Sequence, residues 1–218
     1  MPRSNREPPP AQPQKVPRGR PRKRLSREER APDARAEIFA AAVKVVGDVG
    51  YASATVEKVT SVAGIAQGTF YLYFKSRQEL FNELLPYSGT EMLGFIRDRI
   101  KGSRDIYEME ERSIEAFFLF MKKNPGFGRI INEAEWAAPE AYQKHFDLLS
   151  KHYVDSLQRS VDKGEIRHFS SSDLEVIAHM LMACRTFLHL RYMKFSKGKD
   201  ALRQAVATYM AFLRQGLT

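Results

Sequence analysis

Apolar residues recur along the chain at the three- and four-residue spacing of helices, from about residue 33 to near the C-terminus. That spacing places one face of each segment in an interior, whereas no stretch shows the apolar–polar alternation of a strand. Glycine, proline and capping residues separate the segments. The pattern therefore predicts an all-α fold.

The stretch before residue 80 predicts three helices joined by short turns. A first helix at about 33–49 has two apolar faces and should be buried between others. Thr55 supplies a hydroxyl that can cap a second helix, and Gly64 breaks the pattern after it. A helix at 67–74 follows, with Phe70 and Phe74 on its inner face. A helix, a glycine turn and a helix together predict a helix-turn-helix unit, whose second helix enters the major groove.

The outer face of that second helix carries residue types that contact DNA. Amide and hydroxyl groups meet base edges, while phenols and cations meet phosphates. We expect Gln67, Thr69 and Tyr71 to approach bases. The DNA-contacting residues predicted for this unit are Thr55, Gln67, Gly68, Thr69, Tyr71, Leu72, Tyr73, Lys75 and Arg77.

The residues at about 38–81 resemble the DNA-binding core of TetR/AcrR-type bacterial transcriptional repressors. The matching segments are Ala63-Gly64-Ile65, Gly68-Thr69-Phe70-Tyr71-Leu72-Tyr73-Phe74 and Lys75-Ser76-Arg77-Gln78-Glu79-Leu80. The resemblance implies a helical ligand-sensing domain behind the DNA-binding domain, and a phosphate contact at Thr55. Ala66 departs from the pattern, because it cannot cap the recognition helix as the family's usual polar residue does.

Basic charge is concentrated at the N-terminus. The formal net charge is +9, and residues 1–35 hold 11 Lys/Arg against 4 Asp/Glu, which leaves 24 against 22 for residues 36–218. Eight of the 11 prolines lie in the same segment. This composition predicts a disordered arm at 1–31. The helical pattern and the family resemblance imply that a DNA-binding domain at 32–80 and a helical ligand-binding and dimerisation domain at 81–218 follow it.

The arm contains the sequence Arg18-Gly19-Arg20-Pro21-Arg22, which resembles an AT-hook. Arginines flanking a glycine suit the narrow minor groove of A·T-rich DNA, so Arg18, Arg20 and Arg22 are predicted to contact it. A solvated basic tail and a nuclear import signal are the alternatives.

The helices after residue 81 are separated by clear breakers. Ser76 and Glu79 predict a capping box at the start of a helix over about 77–101, in which Pro86 should cause a kink. Further helices are predicted at 106–123, 127–136 and 139–161. Segments near 172–194 and 200–215 are apolar on more than one face, which predicts that they form a homodimer interface.

Aromatic and thioether side chains in the second domain suggest an apolar pocket with a few polar groups. Its ligand would be a hydrophobic or amphipathic small molecule. For each of these residues taken alone, core packing is the default explanation, and only the set as a whole suggests a pocket. The candidate ligand-binding residues are Phe95, Phe117, Met121, Trp136, Tyr142, His145, Phe146 and Met180.

Several function classes lack support in the sequence. No motif indicates catalysis or a cofactor, and the five histidines lack metal-ligand spacing. The one cysteine, Cys184, excludes an internal disulfide and fits a reducing cytoplasm. Together with the predicted DNA binding, this predicts a cytoplasmic, nucleoid-associated protein. No run of about twenty apolar residues predicts a membrane span.

The sequence therefore predicts a dimeric DNA-binding transcriptional regulator that represses from a palindromic double-stranded operator and is released by a ligand. The alternative is a constitutive or architectural protein that prefers A·T-rich DNA and has no ligand.

Overall fold

The computed structural model describes residues 27–195 and 199–216, and the regular elements within those ranges are all helices. A 3-10 turn at Ser171–Asp173 precedes the eighth α-helix, and a π-helical turn at His189–Lys194 follows it. The all-α prediction is confirmed. In chain order the α-helices are α1 (Arg27–Ser53), α2 (Val56–Ala63), α3 (Gln67–Phe70), α4 (Arg77–Ile100), α5 (Ile106–Lys123), α6 (Phe127–Ala137), α7 (Pro139–Asp162), α8 (Leu174–Leu188) and α9 (Lys199–Gly216).

Local capping signals place several helix ends as predicted. The Lys58 backbone N–H donates to Thr55 Oγ1 at 3.2 Å, and that of Glu79 donates to Ser76 Oγ at 3.1 Å. Gly64 ends α2 in the left-handed region, at φ 68°. The Glu79 carboxylate accepts from the backbone N–H of Lys75, one residue before Ser76, so the reciprocal bond of the predicted capping box is made to a different residue.

Four predicted bounds were wrong. Helix α1 begins at Arg27, so residues 27–31 are helical and do not belong to the disordered arm predicted at 1–31. Helix α1 continues past residue 49 to Ser53, with a bend at Gly50, because Tyr51 is buried and remains packed on the core. Helix α3 ends at Phe70, and residues 71–73 form a hydrogen-bonded turn in place of the helix predicted to 74. Helix α8 ends at Leu188, where the backbone changes to the π-helical turn.

Helix α4 connects the two ends of the molecule. It packs against α1, α5, α6 and α7, and it continues through Pro86 to Ile100. It therefore crosses the domain boundary predicted at residue 80. A single cluster of buried apolar side chains extends from α1 to α9. Among the described residues, no helix is both long enough and apolar enough to cross a membrane.

Candidate nucleic-acid interface and ligand cavity

The helix-turn-helix unit is held together by the glycine turn after α2. With Gly64 in the left-handed conformation, the Ile65 N–H donates to the Thr60 carbonyl at 3.0 Å. This closes α2 and turns the chain into α3. Ala66 makes no side-chain cap for α3, as its methyl group predicts.

Aromatic packing fixes the recognition segment against the rest of the unit. Phe70 and Phe74 are almost completely buried, and the Phe74 ring meets Phe39 of α1 edge-on at 5.4 Å between centroids. Phe39 also stacks on Tyr87 of α4 at 4.2 Å. The recognition segment is therefore positioned by α1 and α4 together, although its own helix has only four residues.

The side chains predicted to contact DNA are accessible to solvent. Thr69 and Tyr73 are half-buried, whereas Tyr71 is 54% and Leu72 is 67% exposed. Thr55, Gln67, Gly68, Lys75 and Arg77 are all exposed. Arg18, Arg20 and Arg22 lie outside the described residues.

Arg77 has structural contacts that its sequence position does not indicate. Its Nη1 donates to the carbonyls of Ala52 and Ala54 at 3.5 and 3.4 Å, and its guanidinium lies 5.4 Å from the centroid of the Phe81 ring. It therefore joins the start of α4 to the end of α1, which leaves only part of its donor set for phosphate.

Lys58 was not among the predicted contacts, although it lies on the same exposed end of α2 as Thr55. Its Nζ donates to the Ser53 carbonyl at 2.9 Å.

A cavity of about 290 Å³ lies between α4, α5, α7 and α8. Its polar lining includes Glu110, Ser113, His152 and Tyr153, with the arginines Arg97, Arg159 and Arg185. Its apolar lining includes Leu93, Ile96, Ile100, Met109 and Leu148. The cavity thus combines apolar walls with a few polar and cationic groups, as ligand sites commonly do.

None of the eight predicted ligand residues is among those that line this cavity. Trp136 and Met180 were wrongly expected inside, since their side chains are 85% and 55% exposed. Phe117 and Met121 are buried in the core. The half-buried rings contact each other or a neighbour, with centroid distances of 4.7 Å for Tyr142–Phe146 and 5.7 Å for Phe95–Phe120.

His145 is also a core residue. Its ring is fully buried against Gly89, where an added Cβ would lie 2.3 Å from Nδ1. Burial lowers the pKa of His145 to about 4, so the ring is neutral near pH 7.

Glu110 is the centre of a buried polar cluster at the cavity wall. Its Oε1 accepts from Arg185 Nη2 at 2.8 Å and from the Tyr209 hydroxyl at 2.7 Å, and the Tyr153 hydroxyl lies 3.2 Å from Oε2. Burial, and then the charge of Glu110, raise the pKa of Tyr209, which therefore remains a neutral donor. The cluster joins α5, α7, α8 and α9.

The sequence pattern did contain a signal for this cluster. Glu110 stands four residues from both Ile106 and Ile114, on the apolar side of its helix. Arg185 likewise follows Leu181 by four residues. A charged residue at a helix position that faces the core indicates a buried partner of opposite charge, because burying an unpaired charge is costly.

An apolar groove lies at the surface between α8 and α9. It includes Phe187, Phe212 and the exposed Cys184, and the two phenylalanine side chains are 66% and 63% exposed. Val176 and Met180 add further exposed apolar surface on α8. Large exposed apolar patches of this kind mark interaction surfaces.

Within the described residues, no group of three or more His, Cys, Asp or Glu side chains could hold a metal ion. The buried helix-turn-helix scaffold with its exposed polar segment defines a helix-turn-helix DNA-binding protein.

Comparison with known proteins agrees with this class. Residues 38–84 match the family described as bacterial regulatory proteins, tetR family. The Bacillus subtilis fatty acid metabolism regulator protein is 34% identical over 136 residues, which cover 60% of this chain and 70% of that protein. The chain therefore belongs to the TetR family of transcriptional regulators.

Two further comparisons agree with this assignment. An uncharacterized HTH-type transcriptional regulator of Bacillus subtilis, YvdT, is 26% identical over 132 residues, or 61% of this chain and 67% of its own length. The crystal structure of Bacillus subtilis FadR in complex with stearoyl-CoA superimposes with a TM-score of 0.70 and 19% identity, and covers 84% of this chain and all of that one (100%). Four curated relatives are matched over between 50% and 70% of their own length.

Proposed function

We propose that this DNA-binding regulator is a dimeric repressor that binds a palindromic operator and is released by an amphipathic small molecule. The observation that carries the proposal is the exposed apolar groove between α8 and α9, at the other end of the chain from the recognition segment. A second copy of this chain that covers the groove would form a dimer. The dimer would place one recognition segment from each chain in successive major grooves of the operator.

In this proposal the unit at 32–80 binds DNA and residues 81–218 bind ligand and dimerise. Gln67, Thr69 and Tyr71 read or approach bases, and Leu72 offers an apolar contact for a thymine methyl group. Gly68 allows close approach of the backbone. Thr55, Tyr73, Lys75 and Arg77 hold phosphates, and the N-terminal arm extends the footprint through Arg18, Arg20 and Arg22 in the minor groove.

Gln67→Ala and Lys75→Ala should weaken operator binding in different ways. Loss of a base contact costs about 1–3 kcal/mol and affects the operator but not unrelated DNA. Loss of a phosphate contact weakens both and lowers the salt slope by about one. Fluorescence anisotropy on an operator obtained by in vitro selection, and on a scrambled duplex, measures both effects.

Lys122→Ala is the matched control for Lys75→Ala. It removes an exposed cation of α5 and changes the net charge by the same amount as Lys75→Ala. Equal losses on operator and scrambled DNA for Gln67→Ala would contradict the base-reading role.

Phe187→Glu with Phe212→Glu should convert the dimer to a monomer. Two carboxylates in the groove cannot be desolvated against a second apolar face. Operator affinity should fall about a hundredfold, because linking two binding modules gains 10²–10⁴ in avidity. Sedimentation gives the mass, and anisotropy gives the affinity.

Trp136→Glu provides the control for adding charge at an exposed ring, because Trp136 lies on α6 and does not line the groove. A double variant that remains dimeric would rule out this interface.

A ligand in the cavity would release DNA by linkage. A ligand that binds more tightly to a conformation whose recognition segments are not spaced for the operator lowers operator affinity. By linkage, DNA lowers the affinity for the ligand by the same coupling free energy. The relative named as a fatty acid metabolism regulator and the stearoyl-CoA complex of the structural neighbour support an amphipathic ligand. Operator affinity that no small molecule changes, with a preference for A·T-rich DNA lacking a palindrome, would favour the constitutive architectural alternative.

A further inference from the structure

We propose that the cavity between α4, α5, α7 and α8 binds an amphipathic anion whose headgroup is held by Arg97 and Arg159. This inference rests on the proposed ligand-responsive function and specifies the chemical class of the ligand. The apolar part of the molecule lies along the cavity walls.

The shape of the cavity favours an elongated ligand. Its α4 wall extends from Thr90 to Ile100, ten residues along the helix, which corresponds to about 15 Å. Leu93 and Ile96 on α4 face an interior completed by Leu148 of α7. An apolar chain or a narrow ring system gains from burial along this length.

The two arginines lie at the same end of this cavity. Arg97 is one turn before Ile100 on α4, and Arg159 is one turn after Ser156 on α7. The Ser156 hydroxyl lies 3.0 Å from the sulfur of Met109, at the start of α5. The end of α4, the start of α5 and the end of α7 therefore meet here.

Arg97 and Arg159 have no acidic ion-pair partner in the described part of the chain. The ion pairs recorded there involve other cations, and both guanidinium groups are exposed at the cavity. Two guanidinium groups that form no salt bridge favour an anion and oppose a cation. Each presents a planar donor set suited to carboxylate or phosphate.

The deeper part of the cavity is balanced in charge. Glu110 and Arg185 form a buried ion pair at 2.8 Å and cancel each other. The buried Arg185 Nε has no hydrogen-bond partner among the described side chains and backbone, so one N–H donor of this charge-balanced pair remains for a ligand oxygen. A second anion placed beside Glu110 would be repelled, which directs the headgroup to the two outer arginines.

Three probes of equal chain length test the charge requirement. Octanoate, 1-octanol and octylammonium are titrated into the full chain without DNA, by isothermal calorimetry. Octanoate should bind, 1-octanol should bind about tenfold more weakly, and octylammonium should show no saturable binding. The inference is overturned if octanoate and 1-octanol both bind with equal affinity, or if neither octanoate nor octanoyl-CoA binds.

The double variant Arg97→Gln/Arg159→Gln assigns the headgroup site. It should lose about tenfold in octanoate affinity and leave 1-octanol binding unchanged. Arg99→Gln/Lys151→Gln is the matched control, with one cation removed from each of the same two helices. Arg99 donates to the Phe95 carbonyl at 3.1 Å, and neither control residue lines the cavity. Octanoate affinity that is unchanged in the first variant, or equally reduced in both, overturns the assignment.

Octanoyl-CoA distinguishes two sources of the anion. Stronger binding of octanoate identifies a carboxylate headgroup, whereas arginine-dependent binding of octanoyl-CoA alone identifies phosphates. Operator affinity is measured separately with each probe. Arginine-dependent binding that leaves operator affinity unchanged supports the anion site and contradicts ligand-induced release. Operator release that does not depend on the two arginines supports ligand-induced release and contradicts the anion site.

Discussion

Replacing Glu110 with alanine is expected to lower the free energy of unfolding by about 3–5 kcal/mol, the usual cost of removing one partner from a buried ion pair. Arg185 is 5% exposed and would keep its charge without the carboxylate that balances it. The hydroxyls of Tyr153 and Tyr209 would also lose their acceptor. Urea denaturation followed by circular dichroism, at one fixed protein concentration, measures the change.

Two variants isolate the unpaired charge as the cause. Glu110→Leu with Arg185→Met removes both charges and should recover most of the stability, since apolar replacements of buried pairs are often neutral. Asp98→Ala breaks the exposed pair with Lys101 and should leave the denaturation midpoint unchanged. If Glu110→Ala is as stable as the parent, the cluster does not support the fold.

Replacing Gly47 with alanine is expected to lower the free energy of unfolding by about 1–3 kcal/mol, the range for overpacking a tight contact. An added Cβ would lie 2.6 Å from the Cα of Gly126, where α1 crosses the start of α6. Both partners at this contact are backbone, so no side chain can rotate away.

The same substitution should also weaken operator binding, because it separates the DNA-binding unit from α6. Arg129 Nη1 donates to the Asp48 carbonyl at 2.8 Å, and the Tyr51 N–H donates to Glu133 Oε2 at 2.9 Å. These bonds fasten the end of α1 to α6 beside the glycine contact. Anisotropy with the selected operator measures the effect.

Gly94→Ala is expected to change the free energy of unfolding in the opposite direction. Gly94 also lies inside a helix, but no atom lies within 4 Å of its added Cβ. Alanine should therefore stabilise the protein by about 0.5–1 kcal/mol through its helix propensity. Stability gains from both substitutions would show that the contact between α1 and α6 can relax.

The helix-turn-helix unit was predictable because its signals are local. The signals are the cap at Thr55, the helix end at Gly64 and the spacing of Phe70 and Phe74, which lie within about twenty residues. Over so short a stretch, capping and helical periodicity decide the conformation. The length of the recognition helix was not predictable in this way. Phe74 is held by Phe39, which lies far away in the sequence.

The cavity could not be located from composition. Aromatic residues fill a core as readily as they line a pocket, and Phe117 and Met121 do the former. The space that remains lies beside Glu110 and Arg185, which are 75 residues apart in the chain. Only the packing of α5 against α8 brings them together.

Sequence alone therefore determined the helical class, most helix ends, the helix-turn-helix unit and the apolar character of the last two helices. These properties follow from interactions between residues a few positions apart. The tertiary structure decided the bend of α1 against α6, the position of the cavity, the pairing of Arg185 with Glu110 and the exposure of Trp136. Each of these depends on contacts between distant segments, and local periodicity carries no information about such contacts.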